Sequence, residues 1–360
     1  MTHTTASTEK CAESRPGQLF SAYLAARLPR IEAFIADNPV RALLVGEDRR
    51  DDDLGRDLYS PIEAFTARGG KRTRPALTLL GAEAVGGDAE AALPMAVAIE
   101  QFQSAALVHD DIADEGELRR GEPCLHLTCG VGPAINMGDA ALVAGFSLLL
   151  NAGDADDATR LRLLRELARM EGHTVEGQAL DLAWARDGRW DLTEADYDLM
   201  ATSKTAYYSA ATPLAAGAIA VGGTDAQVEA LRRFGMACGL AFQLQDDLLN
   251  LVGDAQAQGK DFRSDVTEGK RTLVAVRALA TLSGEKRDEL VGILSSHATD
   301  ERELARAVEL MGECGAIDYA RDRAHGLVRD ARGALDGIEL QAEARNTLIS
   351  MADFFVERLS

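Results

Sequence analysis

Two long apolar stretches of this chain each run into a pair of adjacent aspartates. LPMAVAIEQFQSAALVHDDIAD (93–114) reaches Asp110 and Asp111, with Asp114 four positions after the first, and FGMACGLAFQLQDDLLNL (234–251) reaches Asp246 and Asp247. Neither stretch alternates as a half-buried strand would; both are rich in Ala, Leu and Gln and favour helix. Residues four apart share one helical face, so Asp110 and Asp114 point the same way. Carboxylates at the ends of buried helices cost stability unless opposite charge meets them. A hard divalent cation does so, because magnesium takes oxygen ligands. Two acidic helix ends of this kind are expected to face each other across a metal site.

The rest of the chain reads as helix too. Aromatics are 5% and prolines number nine, while Ala, Leu, Glu and Arg recur with little Val/Ile/Thr alternation. The fold class expected is all-α, a large helical bundle with a central cavity, formed by one domain over 16–360 after a disordered lead-in at 1–15. That lead-in has no apolar core of the kind a signal peptide needs. An amphipathic helix is expected over 17–45, interrupted around Pro29, then a charged loop over 46–57, a helix restarting near Pro75 and another over 88–114. The longest uncharged run, TAYYSAATPLAAGAIAVGGT (205–224), nearly reaches membrane-spanning length. Its small residues and Pro213 favour a buried helix, so no transmembrane segment is expected. Packing helices are expected at about 273–283, 287–297, 301–314, 316–335 and 340–358. The net charge of −20 excludes a general nucleic-acid binder. Five cysteines (11, 124, 129, 238 and 314) are an odd number without framework spacing. Cys124 and Cys129 lack a second zinc-ligand pair, so reduced thiols and a cytoplasmic location are expected.

Of 38 basic residues six are lysine (10, 71, 204, 260, 270 and 286), which leaves 32 arginines. A chain this free with arginine keeps lysine where a compact, flexible point charge is wanted. Four lysines stand in GGKRTRP (69–75), TSKTAYY (202–208), QGKDF (258–262) and EGKRTL (268–273), beside Gly or Thr and near arginines or acids. Arg119 and Arg120 follow the first aspartates in GELRRGEP. Carboxylates repel a phosphate, magnesium bridges the two, and the added cations point to a ligand with more negative charge than metal alone neutralises. An Ala/Leu-lined pocket beneath suggests an apolar tail. A diphosphate head on a hydrocarbon is the substrate this pattern implies, with electrostatic and Lewis-acid catalysis of diphosphate departure.

GGKRTRP, HDDIADEGELRRG, SKT, FQLQDD, GK and SD…GKRT, in this order over about 60–275, resemble the trans-isoprenyl diphosphate (polyprenyl) synthases. The resemblance implies the isoprenoid synthase fold and a magnesium-dependent prenyltransferase that condenses isopentenyl diphosphate with an allylic diphosphate. It also implies three magnesium ions with the diphosphate bound, and a homodimer. Carried over by position, Asp110, Asp114 and Asp246 would ligate magnesium, with Asp111, Asp247 and Asp265 behind them. Arg119, Lys204, Lys260 and Lys270 would hold the allylic diphosphate, and Lys204, Thr205 and Gln243 would serve the catalytic step. Lys71, Arg74, Gln103 and Arg120 would bind isopentenyl diphosphate. The second motif commonly ends in a third aspartate; here Asn250 stands there, as in some geranylgeranyl-type members. In this family, bulk on the helix below the first aspartates sets the tail-pocket floor. Ala105 and Ala106 are small and Phe102 lies one turn deeper, about 4.5 Å by helix rise, so a product of C20 to C30 is expected. A class I terpene cyclase, the main rival, would show an NSE-type second motif and lack GGKRTRP. A catalytically silent partner subunit would tend to lose an acidic motif, and both are present.

Overall fold

The computed structural model describes residues 17–44, 51–151, 155–253 and 262–357. The first half carries α1 (Gln18–Asp37), α2 (Val40–Leu43), α3 (Asp51–Leu54), α4 (Ser60–Ala67), α5 (Thr73–Ala84), α6 (Leu93–Ala113), α7 (Leu125–Cys129), α8 (Val131–Asn151) and α9 (Asp157–Arg186). The second carries α10 (Glu194–Ala201), α11 (Thr212–Ala220), α12 (Asp225–Val252), α13 (Ser264–Thr267), α14 (Leu273–Thr281), α15 (Gly284–Ser295), α16 (Glu301–Glu313), α17 (Ala316–Ala334) and α18 (Ala342–Glu357). Among the described residues the strands are two, β1 (Leu118–Arg119) and β2 (Glu122–Pro123), paired antiparallel. The chain is all-α, as its sequence predicts.

α6 and α12 form the centre: α6 is buried at every position but Pro94 from Leu93 to Ala105, and α12 is buried throughout Cys238–Ala241. α6 packs on α5 and α8, and α12 on α11 and α17. Between α9 and α12 lies a wide π-helical stretch, Thr202–Ala211. Such widened turns recur at functional sites. Two glycines admit it: a Cβ at Gly177 of α9 would lie 2.2 Å from the Lys204 nitrogen, and one at Gly239 of α12 would lie 2.8 Å from the Ala206 Cα. The uncharged run beginning at Thr205 thus becomes buried helix, as expected.

Several local expectations fail for identifiable reasons. α1 runs unbroken through Pro29; a helix-interior proline costs about 3 kcal/mol, and burial of Phe20, Leu24, Ile31 and Ile35 carries the helix through. The loop expected over 46–57 is helical from Asp51. There Arg56 pairs with Asp53 and Asp57 while Tyr59 and Ile62 are buried on the inner face. Asp246 and Asp247 do not end their helix, because α12 continues to Val252. The GELRRGEP loop is a tight hairpin whose central residues, Arg120 (φ 55°) and Gly121 (φ 81°), both take the left-handed conformation that two-residue hairpins prefer. Residues 1–15 lie outside the described residues.

Two helical spans, Ala89–Ala113 and Val131–Asn151, are long and apolar enough to cross a bilayer, but 78% of the first is buried inside the protein. Burial also acts on Glu171 in α9, pushing its carboxyl up to about 7. A carboxylate raised above its unfolded value loses stability as pH rises. The unfolded chain releases the proton near 4.5, whereas the folded chain keeps it to about 7. Glu171→Gln is therefore expected to flatten the fall in Tm between pH 5 and 8, gaining about 1–3 kcal/mol at pH 8. Melts of both proteins across that range are the check, and parallel pH profiles would refute it.

Candidate active site

The acidic end of α6 and the aspartate pair inside α12 face one opening. Asp111, Asp114, Asp246, Asp247 and Asp265 line a polar mouth of about 770 Å³, together with Arg119, Arg120 and Lys270. Beneath it lies an apolar cavity of about 580 Å³ walled by Phe102, Ala106, Leu142, Tyr208 and Phe242, with Asp110, Lys204 and Thr205 at its rim. Gln243 and Asp246 line both spaces. A third space of about 90 Å³, between Lys204, Asp247, Asp265 and Lys270, completes the junction.

Asp114 caps α6 and its N–H still donates to the Asp110 carbonyl at 2.8 Å, so both stay on one face. Asp110 Oδ1 accepts from Gln178 Nε2 at 3.0 Å. Asp111, one residue on, is buried and grips the Arg119 guanidinium at 2.8 and 2.5 Å. On α12 a relay runs inward. Thr205 Oγ1 donates to Gln243 Oε1 (2.8 Å), Gln243 Nε2 donates to Asp247 Oδ1 (2.8 Å), and the buried Tyr197 hydroxyl donates to Asp247 Oδ2 (3.0 Å). The amide of Gln243 is thereby fixed with its oxygen toward Thr205. Lys204 Nζ pairs with Asp181 at 2.5 Å. Burial works against that ammonium, yet Asp181 and Asp110 overcome it and hold Lys204 above the usual lysine range. Lys270 reaches Glu268 at 2.8 Å and Asp265 at 3.5 Å.

Burial raises the carboxyls of Asp110 and, much further, Asp247, and pushes Asp265 up to about 6. A bank of carboxylates that resists ionisation is one a cation would relax. Among the described residues no three His, Cys, Asp or Glu side chains gather tightly enough to chelate an ion on their own. That donor set fits magnesium, which is usually held by one or two carboxylates plus substrate phosphate oxygens rather than by an all-protein cage.

The remaining predicted residues are placed unevenly. Arg74 lines the tail cavity, its guanidinium 4.2 Å over the Tyr208 ring with Nη2 on Ser209 Oγ (3.1 Å). Gln103 Oε1 and Arg74 Nε are buried without a protein partner. Lys71 is exposed, and Arg120 lies against Gly70, where a Cβ would sit 3.4 Å from its Nη2. Phe102 meets Tyr208 edge to face at 5.8 Å on the cavity wall. Ala105 does not reach the cavity: it packs with Ile62, Phe65 and Ala141. One residue turns a helix by about 100°, which swings Ala105 to the α4/α8 side while Ala106 faces the tail space. Lys260 lies outside the described residues. Asn250 is a clamp: its Oδ1 accepts from the Asp265 N–H (3.1 Å) and its Nδ2 donates to Ser264 Oγ (3.0 Å). Gln178 and Asp181 were not anticipated. Their only sequence signal is a lone Gln and Asp three apart in EGQALDL (176–182).

Comparison with known proteins identifies a family. Residues 56–311 match the family described as polyprenyl synthetase. The chain is 41% identical over 305 residues to a short chain isoprenyl diphosphate synthase of Methanothermobacter thermautotrophicus, covering 84% of this chain and 90% of that protein. It is 37% identical over 318 residues to a geranylfarnesyl diphosphate synthase of Natronomonas pharaonis, with the same coverages, 84% and 90%. The crystal structure of geranylgeranyl pyrophosphate synthetase from Pyrococcus horikoshii superposes with a TM-score of 0.84 at 30% identity, covering 96% of this chain and all of that one.

Proposed function

This chain belongs to the polyprenyl synthetase family and is a trans-prenyltransferase, and on that footing we propose that it joins isopentenyl diphosphate head-to-tail to an allylic diphosphate. The product proposed is an all-trans prenyl diphosphate of C20 to C25, the lower part of the range its sequence suggests and the lengths its similar proteins are named for. The observation that carries the reading is the shared junction. A cationic and acidic mouth opens onto an apolar cavity, and Gln243 and Asp246 stand in both.

Asp110 and Asp114 from one side and Asp246 from the other would hold magnesium, three ions in all with diphosphate present. When bound, magnesium supplies the Lewis acidity that draws off the departing diphosphate. The chain's own groups do the rest. Lys204, Arg119 and Lys270 take the negative oxygens of the allylic diphosphate, joined by Lys260. Asp111 and Asp265 act through the cations they orient. Asp247 fixes Gln243, so that the Gln243 and Thr205 oxygens present a preset dipole to the allylic carbon as its C–O bond breaks. Lys71, Arg74, Gln103 and Arg120 bind isopentenyl diphosphate; the unpartnered Arg74 Nε, an N–H donor, suits an anionic ligand that has yet to arrive. Its double bond then attacks the allylic carbon, and the proton lost goes to the released diphosphate. The test is a magnesium assay with labelled isopentenyl diphosphate and primers from C5 to C20. A product ladder ending at one length supports the reading, and no condensation with any primer refutes it.

Phe102 is the proposed floor, with Tyr208 beside it and Ala106 leaving the space above open. Phe102→Ala is expected to lengthen the main product by about one C5 unit, since the next turn of α6 lies about 4.5 Å deeper by helix rise. Product chromatography checks it, and an unchanged distribution would discard Phe102 as the floor.

A homodimer is proposed on the outer face of α8, where Val131, Ile135, Val143 and Leu150 form an exposed apolar band. Sedimentation of the intact protein is expected to give twice the monomer mass. We read the enzyme as cytoplasmic, as one domain, with no nucleic-acid partner.

A further inference from the structure

We infer that Arg72 is a positioning residue for the isopentenyl diphosphate pocket: buried Arg72, clamped between buried Glu100 and half-exposed Glu32, locks the loop that carries Lys71 and Arg74. The inference rests on the function proposed above. Arg72 stands between two residues assigned to the diphosphate, yet its side chain has no solvent exposure and points the other way. All three of its guanidinium nitrogens are engaged by the protein. Nε donates to Glu32 Oε1 at 2.7 Å, Nη1 to Glu100 Oε1 at 2.5 Å, and Nη2 to Glu32 Oε2 at 3.3 Å and the Thr66 carbonyl at 2.6 Å. These partners sit on α1, α6 and α4, so one side chain joins three helices.

The backbone tells the same story. Gly69 (φ 80°), Gly70 (φ 140°) and Arg72 (φ 44°) put the loop in the left-handed region, which a long side chain adopts only when its surroundings insist. That geometry turns Lys71 outward and starts α5 so that Arg74 reaches Ser209 and Tyr208. Glu100 lies three residues before Gln103 on α6, so the ion pair that fixes the loop also fixes its distance from Gln103. Two carboxylates against one guanidinium leave the cluster a net negative neighbour of Arg120. Glu100 and Glu32 support the charge of Arg120, which burial and Arg72 oppose. A lysine at 72 would be a point charge and could not serve three directions from a planar fork.

The experiment is steady-state kinetics on full-length Arg72→Lys and Glu32→Gln with both substrates varied, after melts have shown each variant folded. The expected result is a rise of about tenfold or more in KM for isopentenyl diphosphate, with kcat and the allylic KM within about twofold. Should Arg72→Lys fail to fold, Glu32→Gln, at a half-exposed carboxylate, decides the matter with a smaller rise of the same selectivity. A folded variant with an unmoved isopentenyl KM overturns the inference. So does one in which both KM values and kcat move together, the signature of general destabilisation. A wild type that condenses nothing overturns the functional reading, and the inference with it.

Discussion

Asp246→Ala should lower turnover about 1,000-fold or more, as expected when a preset electrostatic group is removed from a reacting centre. Asp110 lines only the tail cavity and Asp114 only the mouth, whereas Asp246 lines both, at the point where charge departs and the carbon chain begins. Stability should move far less. Burial and then Asp265 do most to raise the Asp247 carboxyl and Asp246 adds the least, so its removal changes the metal-free fold little. The melting temperature is expected to stay close to that of the wild type while kcat collapses. Asn250→Asp is the paired control. An aspartate there accepts from the Asp265 N–H and from the rotatable Ser264 hydroxyl, so the clamp survives and activity should remain within a few-fold. The added charge should tighten metal binding and lower metal-free stability. Saturating kinetics, a magnesium titration and melts of the three proteins test all of this. Full activity in Asp246→Ala, or a melting loss matching its activity loss, would remove Asp246 from the centre of the site.

What the sequence makes legible follows from local spacing. Asp110 and Asp114 keep one face because the α6 hydrogen-bond pattern extends through the cap, and the lysine settings locate Lys204 and Lys270 because each stands beside a backbone feature, a π-helical stretch and a left-handed glycine at 269. What stays hidden depends on contacts between distant segments. Asp181 becomes the partner of Lys204 only because Gly177 lets the Thr202–Ala211 stretch press against α9. Nothing in EGQALDL announces that approach. Ala105 and Ala106 are identical in composition and differ only by the turn of the helix, so which of them meets the tail waits on the placement of α6. The 46–57 segment misleads because its charges mask the apolar residues, Leu58, Tyr59 and Ile62, that pack its helical half. Arg72 is the sharpest case. Among three basic residues in four positions, 71–74, the sequence does not distinguish the one buried against Glu32 and Glu100 from the two proposed to face the ligand.

Lys204→Met should cost about 100- to 10,000-fold in kcat/KM, because the change strikes both catalysis and structure. The ammonium stands at the rim of the tail cavity and at the small space joining it to the mouth, where an allylic diphosphate would lie. Removing it takes a fixed positive charge from the leaving group and leaves Asp181 without its partner. A buried pair broken on one side costs about 3–5 kcal/mol, and the partial exposure of this pair, 29% and 15%, brings the expected stability loss to about 1–3 kcal/mol. The two effects separate in a double variant. Lys204→Met with Asp181→Asn removes the stranded carboxylate charge, so melting should recover most of the loss while turnover stays down. Asp181→Asn alone should be milder in turnover, since the lysine remains and only its aim is loosened. If the double variant regained activity along with stability, Lys204 would be a structural lysine. If stability stayed down with turnover, the loss would come from the packing of the Lys204 side chain and not from the stranded Asp181 carboxylate.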